Sequence, residues 1–383
     1  MTSAACAVLG DRLRRGVVTA SRPEAWRGDG LEWIAASHPL PDAGSERAGR
    51  RALELAATPE GRAGLLVLLS GGASSMLAVP ASGVTLADKI DTAGRLLAAG
   101  APIHALNAVR KHLSGIKAGR LAAAAGPLQA YAVSDVVAPV ENDPSVIGSG
   151  PTVADPTTFA DALQVLDRYE VRGRLPPTVI DVLEAGVRGE REETPKPGDP
   201  RLAQARLAIV GTRHQATDGA ALAAAARGYL VVTRQEPVVG EARQAGRALV
   251  ERLQRLAAQV DRPLCLLSSG ETTVRVTGDG RGGRNQELVL AQVRPLASFE
   301  IEAAVASVGT DGIDGPTTAA GACADTTTLV RATAAGLAEP DAFLARNDSY
   351  AYFAALGDLI VTGATSTNVG DLQVALVRPR PND

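Results

Sequence analysis

Short continuous apolar runs punctuate the chain, at Leu65–Leu69, Leu207–Val210, Leu230–Val232, Leu264–Leu267 and Ala303–Val308. Runs of this length bounded by turn residues predict strands buried on both faces, as in parallel sheets. Gly16–Thr19, Trp33–Ala36, Gln129–Val133 and Leu359–Val361 add weaker strand candidates. Between them, apolar positions recur at helical spacing. Helices are predicted over Thr2–Leu13, Ser45–Ala57, Leu86–Ala99, Ile103–Ala125, Phe159–Tyr169, Pro177–Ala185, Ala216–Ala226, Glu241–Ala258, Asn285–Val293 and Asp348–Leu356. Strand and helix alternate throughout, which implies an α/β architecture with mainly parallel sheets.

A chain of 383 residues is long for one core, so two domains are expected. The polar, proline-rich stretch 188–201 reads as the linker, which puts one α/β domain at 1–198 and the other at 199–383. A net charge of −3 offers no electrostatic footprint for nucleic acid or an anionic membrane. Cys6, Cys265 and Cys323 form neither a disulfide framework nor a zinc spacing, and Cys265 sits in an apolar run expected to be core. No apolar run approaches the ~18 residues of a membrane span, and no signal-peptide pattern is present. The expectation is a cytoplasmic protein acting on a small molecule, with a homo-oligomer left open.

The chemistry is densest at 270–287. The run Leu264–Leu267 leads into Ser268-Ser269-Gly270-Glu271, then β-rich Thr272–Thr277, then glycines 278, 280, 282 and 283 around Arg281 and Arg284, after which helical spacing begins. Strand, glycine loop and helix start together point backbone N–H groups and a helix dipole at an anion. Two arginines beside such a loop suit a phosphate or a carboxylate, because a guanidinium can grip either with parallel hydrogen bonds. Gly278, Gly280 and Gly283 also satisfy the dinucleotide pattern G-x-G-x-x-G, but they follow the second strand of an apparent hairpin rather than opening a βαβ unit. No Walker-type phosphate loop and no G-x-S-x-G elbow occurs, and the four histidines are scattered.

Other segments add polar groups at strand ends. Leu65–Leu69 ends in Ser70-Gly71-Gly72-Ala73-Ser74-Ser75, echoing the Ser-Gly step after Leu267. Asn107–Arg120 concentrates basic residues, with Arg110, Ser114 and Lys117 at helical i, i+4, i+7 spacing, although a solvated basic face reads equally from this pattern. Asp135 and Asp311 follow strands, where a carboxylate suits either Mg²⁺ or a turn; Asp314 is a weaker case. Asn347-Asp348-Ser349 reads as a helix N-cap. Thr362–Asp371 is rich in small hydroxyl and amide groups, fitting a polar ligand or a surface turn.

Taken in order, 69–75, 107–121, 134–136, 143–152, 270–287, 309–315, 347–349 and 362–371 resemble the type-2 glycerate kinase family, whose C-terminal half is called MOFRL. The resemblance spans about residues 35–372 and rests above all on Gly-Arg-Gly-Gly-Arg-Asn-Gln-Glu (280–287) and Thr-Asp-Gly-Ile-Asp-Gly (310–315). It implies an N-terminal Rossmann-like parallel sheet, a smaller C-terminal α/β domain and an active site in the cleft between them. It implies transfer of the γ-phosphoryl group of ATP to the 2-hydroxyl of D-glycerate with Mg²⁺, giving 2-phosphoglycerate. Some relatives carry the older label hydroxypyruvate reductase, which leaves an NAD(P)-dependent reductase, or a ligand-binding relative without catalysis, as alternatives. By resemblance Arg284 matches the family's essential arginine. Ser70, Gly71, Gly72, Ser74, Ser75, Asn107, Arg110, Glu271, Arg281, Gly282, Gly283 and Asn285 become candidate phosphate or glycerate contacts. Lys111 is a candidate for charge neutralisation. Asp311 is one for metal binding or hydroxyl activation, with Asp135 as a further metal ligand.

Two departures from the family pattern stand out. Ala73 replaces a glycine of the Ser-Gly-Gly-Gly-Ser loop, which predicts an altered turn if that position needs positive φ. The family also opens with a strand, a Gly-Lys-Ala-Ala loop and a helix, whereas Met1–Ala5 already resembles the middle of that helix. A start codon assigned downstream of the true one is expected, a shortened chain being the alternative.

Overall fold

The computed structural model describes residues 1–20 and 30–378. The chain forms two compact units, one of residues 1–133 and 142–210, the other of 134–141 and 211–383. The 188–201 stretch belongs to the first unit, and this is a matter of hydrogen bonding. Glu193 accepts from His112 and from the Phe159 N–H, while Thr194 donates to Asp155.

Among the described residues the first unit carries a two-stranded and a three-stranded sheet rather than one continuous sheet. Among the described residues β1 (Gly16–Ala20) pairs in parallel with β2 (Leu31–Ala35). Separately, β3 (Leu65–Leu69) pairs in parallel with β4 (Leu128–Val133), and β5 (Ala205–Gly211) flanks β4. The expectation of a single Rossmann-like sheet is therefore corrected to two small ones. Apolar burial is carried largely by a helical cluster, including Leu96, Leu106, Val109, Leu113, Phe159, Leu166 and Leu183. The single helix predicted over Ile103–Ala125 is two, Ile103–His112 and Arg120–Ala124. Between them Ala118 (φ 56°) and Gly119 (φ 77°) are left-handed, a conformation a continuous right-handed helix cannot hold, and Gly119 is the N-cap of the second helix.

The second unit holds a mixed sheet, correcting the expectation of mainly parallel pairing. Strands β6 (Leu230–Thr233) and β7 (Val238–Glu241) both run parallel to β8 (Leu264–Thr273). Beyond them β9 (Glu302–Gly309), β10 (Gly321–Asp325), β11 (Leu359–Ile360) and β12 (Asp371–Arg378) are antiparallel additions. The order is β11-β10-β9-β12-β8-β6, with β7 also on β8. β12 sits at the centre, antiparallel to both β8 and β9; its apolar run Val374–Val377 raised no strand expectation in the sequence.

β8 also revises the expected hairpin at 264–277. Ser268, Ser269 and Gly270 do not turn but continue the strand, paired with Gln373, Leu372 and Asp371. They are tolerated there because Ser268 donates to Gln373 and Ser269 accepts from Thr217 and Arg213. A side chain at Gly270 would meet the Val238 backbone, so glycine permits the close approach of β7. Cys265 is fully buried in this strand, and burial pushes its thiol up to about 11. The helix Arg284–Leu296 packs over the sheet with ten of its residues buried, against the helix Ala242–Ala257.

Candidate active site

In the first unit the candidate groups gather on one hydroxyl. β3 delivers Ser70 to a turn in which Gly72 is left-handed (φ 81°), and the short helix Ala73–Met76 follows. Positive φ therefore falls on Gly72, and Ala73 enters the helix without strain. The glycine-to-alanine departure leaves this turn intact. Ser74 Oγ then accepts from Arg110 Nη2 at 2.6 Å and Lys117 Nζ at 3.0 Å, and lies 2.8 Å from Ser149 Oγ. Ser149 in turn donates to Asn107 Oδ1 at 3.3 Å. Lys117 Nζ also donates to the carbonyls of Ser74 (2.7 Å) and Gly148 (3.3 Å), fastening this loop to the 147–150 turn.

The remaining candidates of this unit are directed elsewhere. Ser75 Oγ donates to the Pro39 carbonyl at 2.6 Å. Lys111 points to Asp155 at 3.3 Å, and both are buried. Asp155 also accepts from Thr157 and Thr194, so Lys111 is built into a closed network. In sequence Lys117 shares helical spacing with Arg110, but the helix ends at His112 and the turn at 113–119 breaks that spacing. The structure restores the link through Ser74.

In the second unit Arg284 is the centre. It is the first residue of its helix and reaches across to the start of β12, where Nε and Nη2 donate to the two oxygens of Asp371 at 2.7 and 2.9 Å. Nη1 donates to Glu271 on β8 at 2.7 Å. This is a bidentate, charge-assisted pair with a third contact. Burial alone would lower the guanidinium pKa, but Asp371 and Glu271 outweigh it and hold Arg284 charged. Burial, with the like charges of Asp371 and Asp135, outweighs Arg284 and pushes the Glu271 carboxyl above its usual range. Asp371 lies at the end of the 362–371 loop and was not singled out in sequence; only the density of polar residues marked it.

The glycine loop is organised by its own chain. Asp314 caps the 284–296 helix, accepting from the N–H groups of Asn285 (3.0 Å) and Gln286 (2.8 Å) and from Gln286 Nε2 (2.9 Å). The anion expected at this helix start is thus supplied by a side chain of the protein. Asn347 Oδ1 accepts from the N–H groups of Thr277 and Gly278, and Asp348 Oδ1 from that of Arg281. Asn347 and Asp348, read in sequence as a helix cap, clamp the loop; Asp348 makes no side-chain cap. A Cβ at Gly278 would strike the Arg346 carbonyl, one at Gly282 the Ser349 hydroxyl, and one at Gly283 the Asp314 carboxyl. The glycines therefore serve close packing, and the G-x-G-x-x-G pattern has this local explanation.

Arg281 donates from Nε to the Pro316 carbonyl at 2.9 Å, and its guanidinium lies 4.7 Å from the Tyr350 ring centroid. Asn285 is buried between Asp314 and Ser307. Asp311 accepts from the Ile313 N–H at 3.0 Å, and Asp135 accepts from Asn368 at 2.9 Å. Among the described residues no three His, Cys, Asp or Glu side chains converge in a way that could hold a metal ion. No described helix is long and apolar enough to cross a membrane.

Two family models match this chain. One, described as a domain of unknown function (DUF4147), covers residues 1–184, and the MOFRL family covers 264–371. The chain is 37% identical to the D-glycerate 2-kinase of Thermotoga maritima, over 98% of its own length and 88% of that protein's. A crystal structure of glycerate kinase from the same organism superposes with a TM-score of 0.86 at 36% identity, covering 98% of this chain and 88% of that one. An Agrobacterium vitis protein with the provisional name hydroxypyruvate reductase is 39% identical, over 98% of this chain and 96% of that protein. With these matches spanning both units and covering residues 280–287 and 310–315, the chain belongs to the DUF4147/MOFRL glycerate kinase family.

Proposed function

We propose that this protein is a glycerate 2-kinase, transferring the γ-phosphoryl group of ATP to the 2-hydroxyl of D-glycerate. The observation that carries the reading is Arg284, fixed bidentately by Asp371 and steered by Glu271 in a chain whose 37%-identical relative is named D-glycerate 2-kinase. Phosphoryl transfer needs position and charge neutralisation more than covalent chemistry. Arg284 meets both needs, being held charged and in one orientation before any ligand arrives, so little reorganisation accompanies charge build-up.

Arg110 supplies a second set of donors, oriented by Ser74, which accepts from it and is itself held by Lys117 and the Ser149–Asn107 pair. Glu271, with its raised pKa, is the acceptor we assign to a substrate hydroxyl. Lys111 is assigned to holding the 103–112 helix through Asp155 rather than to the reacting groups. The acidic groups near Arg284 outnumber it, and this excess of carboxylate fits a hard cation that takes one or two carboxylates and substrate oxygens. We assign Asp135 and Asp311 to Mg²⁺, which when bound neutralises phosphate oxygens.

The test is a coupled assay with D-glycerate, ATP and Mg²⁺. Formation of ADP and 2-phosphoglycerate without NAD(P)H consumption is expected. Oxidation of NADH with hydroxypyruvate, with no use of ATP, would overturn the assignment.

A further inference from the structure

Among the described residues of the first unit, Lys89, Arg110 and Lys117 form no ion pair with a carboxylate. Lys89 on the helix Leu86–Ala98, Arg110 on the helix Ile103–His112 and Lys117 in the following turn lie within electrostatic range of one another. Lys89 is 9% exposed and Lys117 2%. Among the described residues the carboxylate that Lys89 feels is Glu46, and that group is engaged by Arg50. Burial first, then the charge of Arg110, lowers the Lys89 ammonium to about 7; burial, with Arg110 and Lys89, pulls Lys117 well below its usual range. Lys111 is the contrast: it is the next residue after Arg110, buried, and paired with Asp155.

Isolated buried charges are costly, so natural proteins pair them or place them against a ligand. The donors divide accordingly. Lys117 directs its ammonium to three oxygens of Ser74 and Gly148, and Lys89 donates to the Val79 carbonyl at 3.3 Å. Among the described residues Arg110 makes one side-chain hydrogen bond, to Ser74 Oγ, out of the five its guanidinium can donate. Arg110 is the partly exposed member of the three, whereas Lys89 and Lys117 are buried.

We propose that Arg110, held by Ser74 and backed by the charges of Lys89 and Lys117, forms an oxyanion subsite for a carboxylate or phosphate group. This deepens the kinase reading by naming where an anionic group of its substrates is met. Arg110 supplies the fork of donors, while the two lysines contribute charge from behind it. Lys117 also fixes the loop that carries Ser74, so its own role is one of positioning.

Calorimetric titration of the full chain with D-glycerate, ATP and inorganic phosphate tests this on the wild type, Lys89→Met and Arg110→Gln. Affinity for at least one substrate should fall about tenfold or more in both variants, the range for losing a charge-assisted contact. Loss for D-glycerate assigns a carboxylate, and loss for ATP a phosphate. Phosphate should raise the wild-type Tm and leave that of both variants unmoved. Lys89→Met removes an unpaired buried charge, so its Tm without ligand should equal or exceed the wild type's, separating lost binding from lost folding. Should that variant not fold, the half-buried Arg110→Gln carries the test. Unchanged affinity for both substrates together with an unchanged phosphate response overturns the subsite, whatever the enzyme turns over. A wild type without kinase turnover that still binds phosphate through Lys89 would instead overturn the kinase reading and leave the subsite standing.

Discussion

Arg284 donates to two carboxylates, of which Asp371 is 1% exposed, and its role in activity and in folding can be separated. Replacing Arg284 with alanine should lower kcat by about 10²-fold or more, as for removal of a charge-stabilising donor. It should also cost about 3 kcal/mol, because Asp371 is left buried without its partner. Arg284→Lys keeps the charge but loses the two-pronged grip on Asp371, so kcat should stay low while part of the stability returns. Single-turnover rates and urea midpoints on the three proteins check this; an Arg284→Ala enzyme with near-native kcat removes the residue from the machinery. Arg284 and Arg110 were legible in the sequence because arginine beside a glycine-rich or small-residue stretch is a chemical signal on its own. Asp371 and Lys89 were not, and Lys117 showed only as a spacing match to Arg110. Lys89 lies in an ordinary amphipathic pattern, and its meaning comes from burial against Arg110, which no local spacing encodes.

At the scale of elements, continuous apolar runs located β3, β6, β8 and β9, and helical spacing located most helices, within a few residues. What stayed hidden was pairing. β10 is five residues of small side chains paired with the preceding strand β9, and β12, despite its apolar run Val374–Val377, takes its central place by binding β8 and β9 far earlier in the chain. The 270–287 segment is the sharpest case. Its sequence fits an anion cradle, and the structure supplies the anion from Asp314. Asp314→Ala should therefore destabilise the protein by about 2 kcal/mol, combining a lost cap with buried N–H groups of Asn285 and Gln286 left unpaired. Asp314→Asn, retaining acceptor capacity through one oxygen, should recover roughly half. Urea unfolding measures both. Equal stability of Asp314→Ala and wild type would show that an outside anion or water takes over the helix start.

For the whole molecule, buried ionisable groups set how stability responds to pH, and two groups of the first unit act in opposite ranges. Lys89 has a folded pKa of about 7 against 10.5 in an open chain. Between those values the unfolded chain holds a proton that the folded one lacks, so stability rises with pH across that window, and below pH 7 the full burden of a buried charge remains. Glu193 behaves conversely. Burial raises its pKa, but hydrogen bonds from His112 and from the N–H groups of Thr194 and Phe159 outweigh this and bring it to about 2. Its contribution is complete above the unfolded value of 4.5 and is lost as pH falls through 2. Urea midpoints in chloride buffer should then show Lys89→Met more stable than wild type at pH 6, with the gap closing as pH rises toward 10.5. Glu193→Gln should fall below wild type at pH 6 and meet it near pH 2. A Lys89→Met gap that stays constant from pH 6 to 10.5 would mean that Lys89 keeps its charge in the folded protein, and that Arg110 and Lys117 already have a counter-ion.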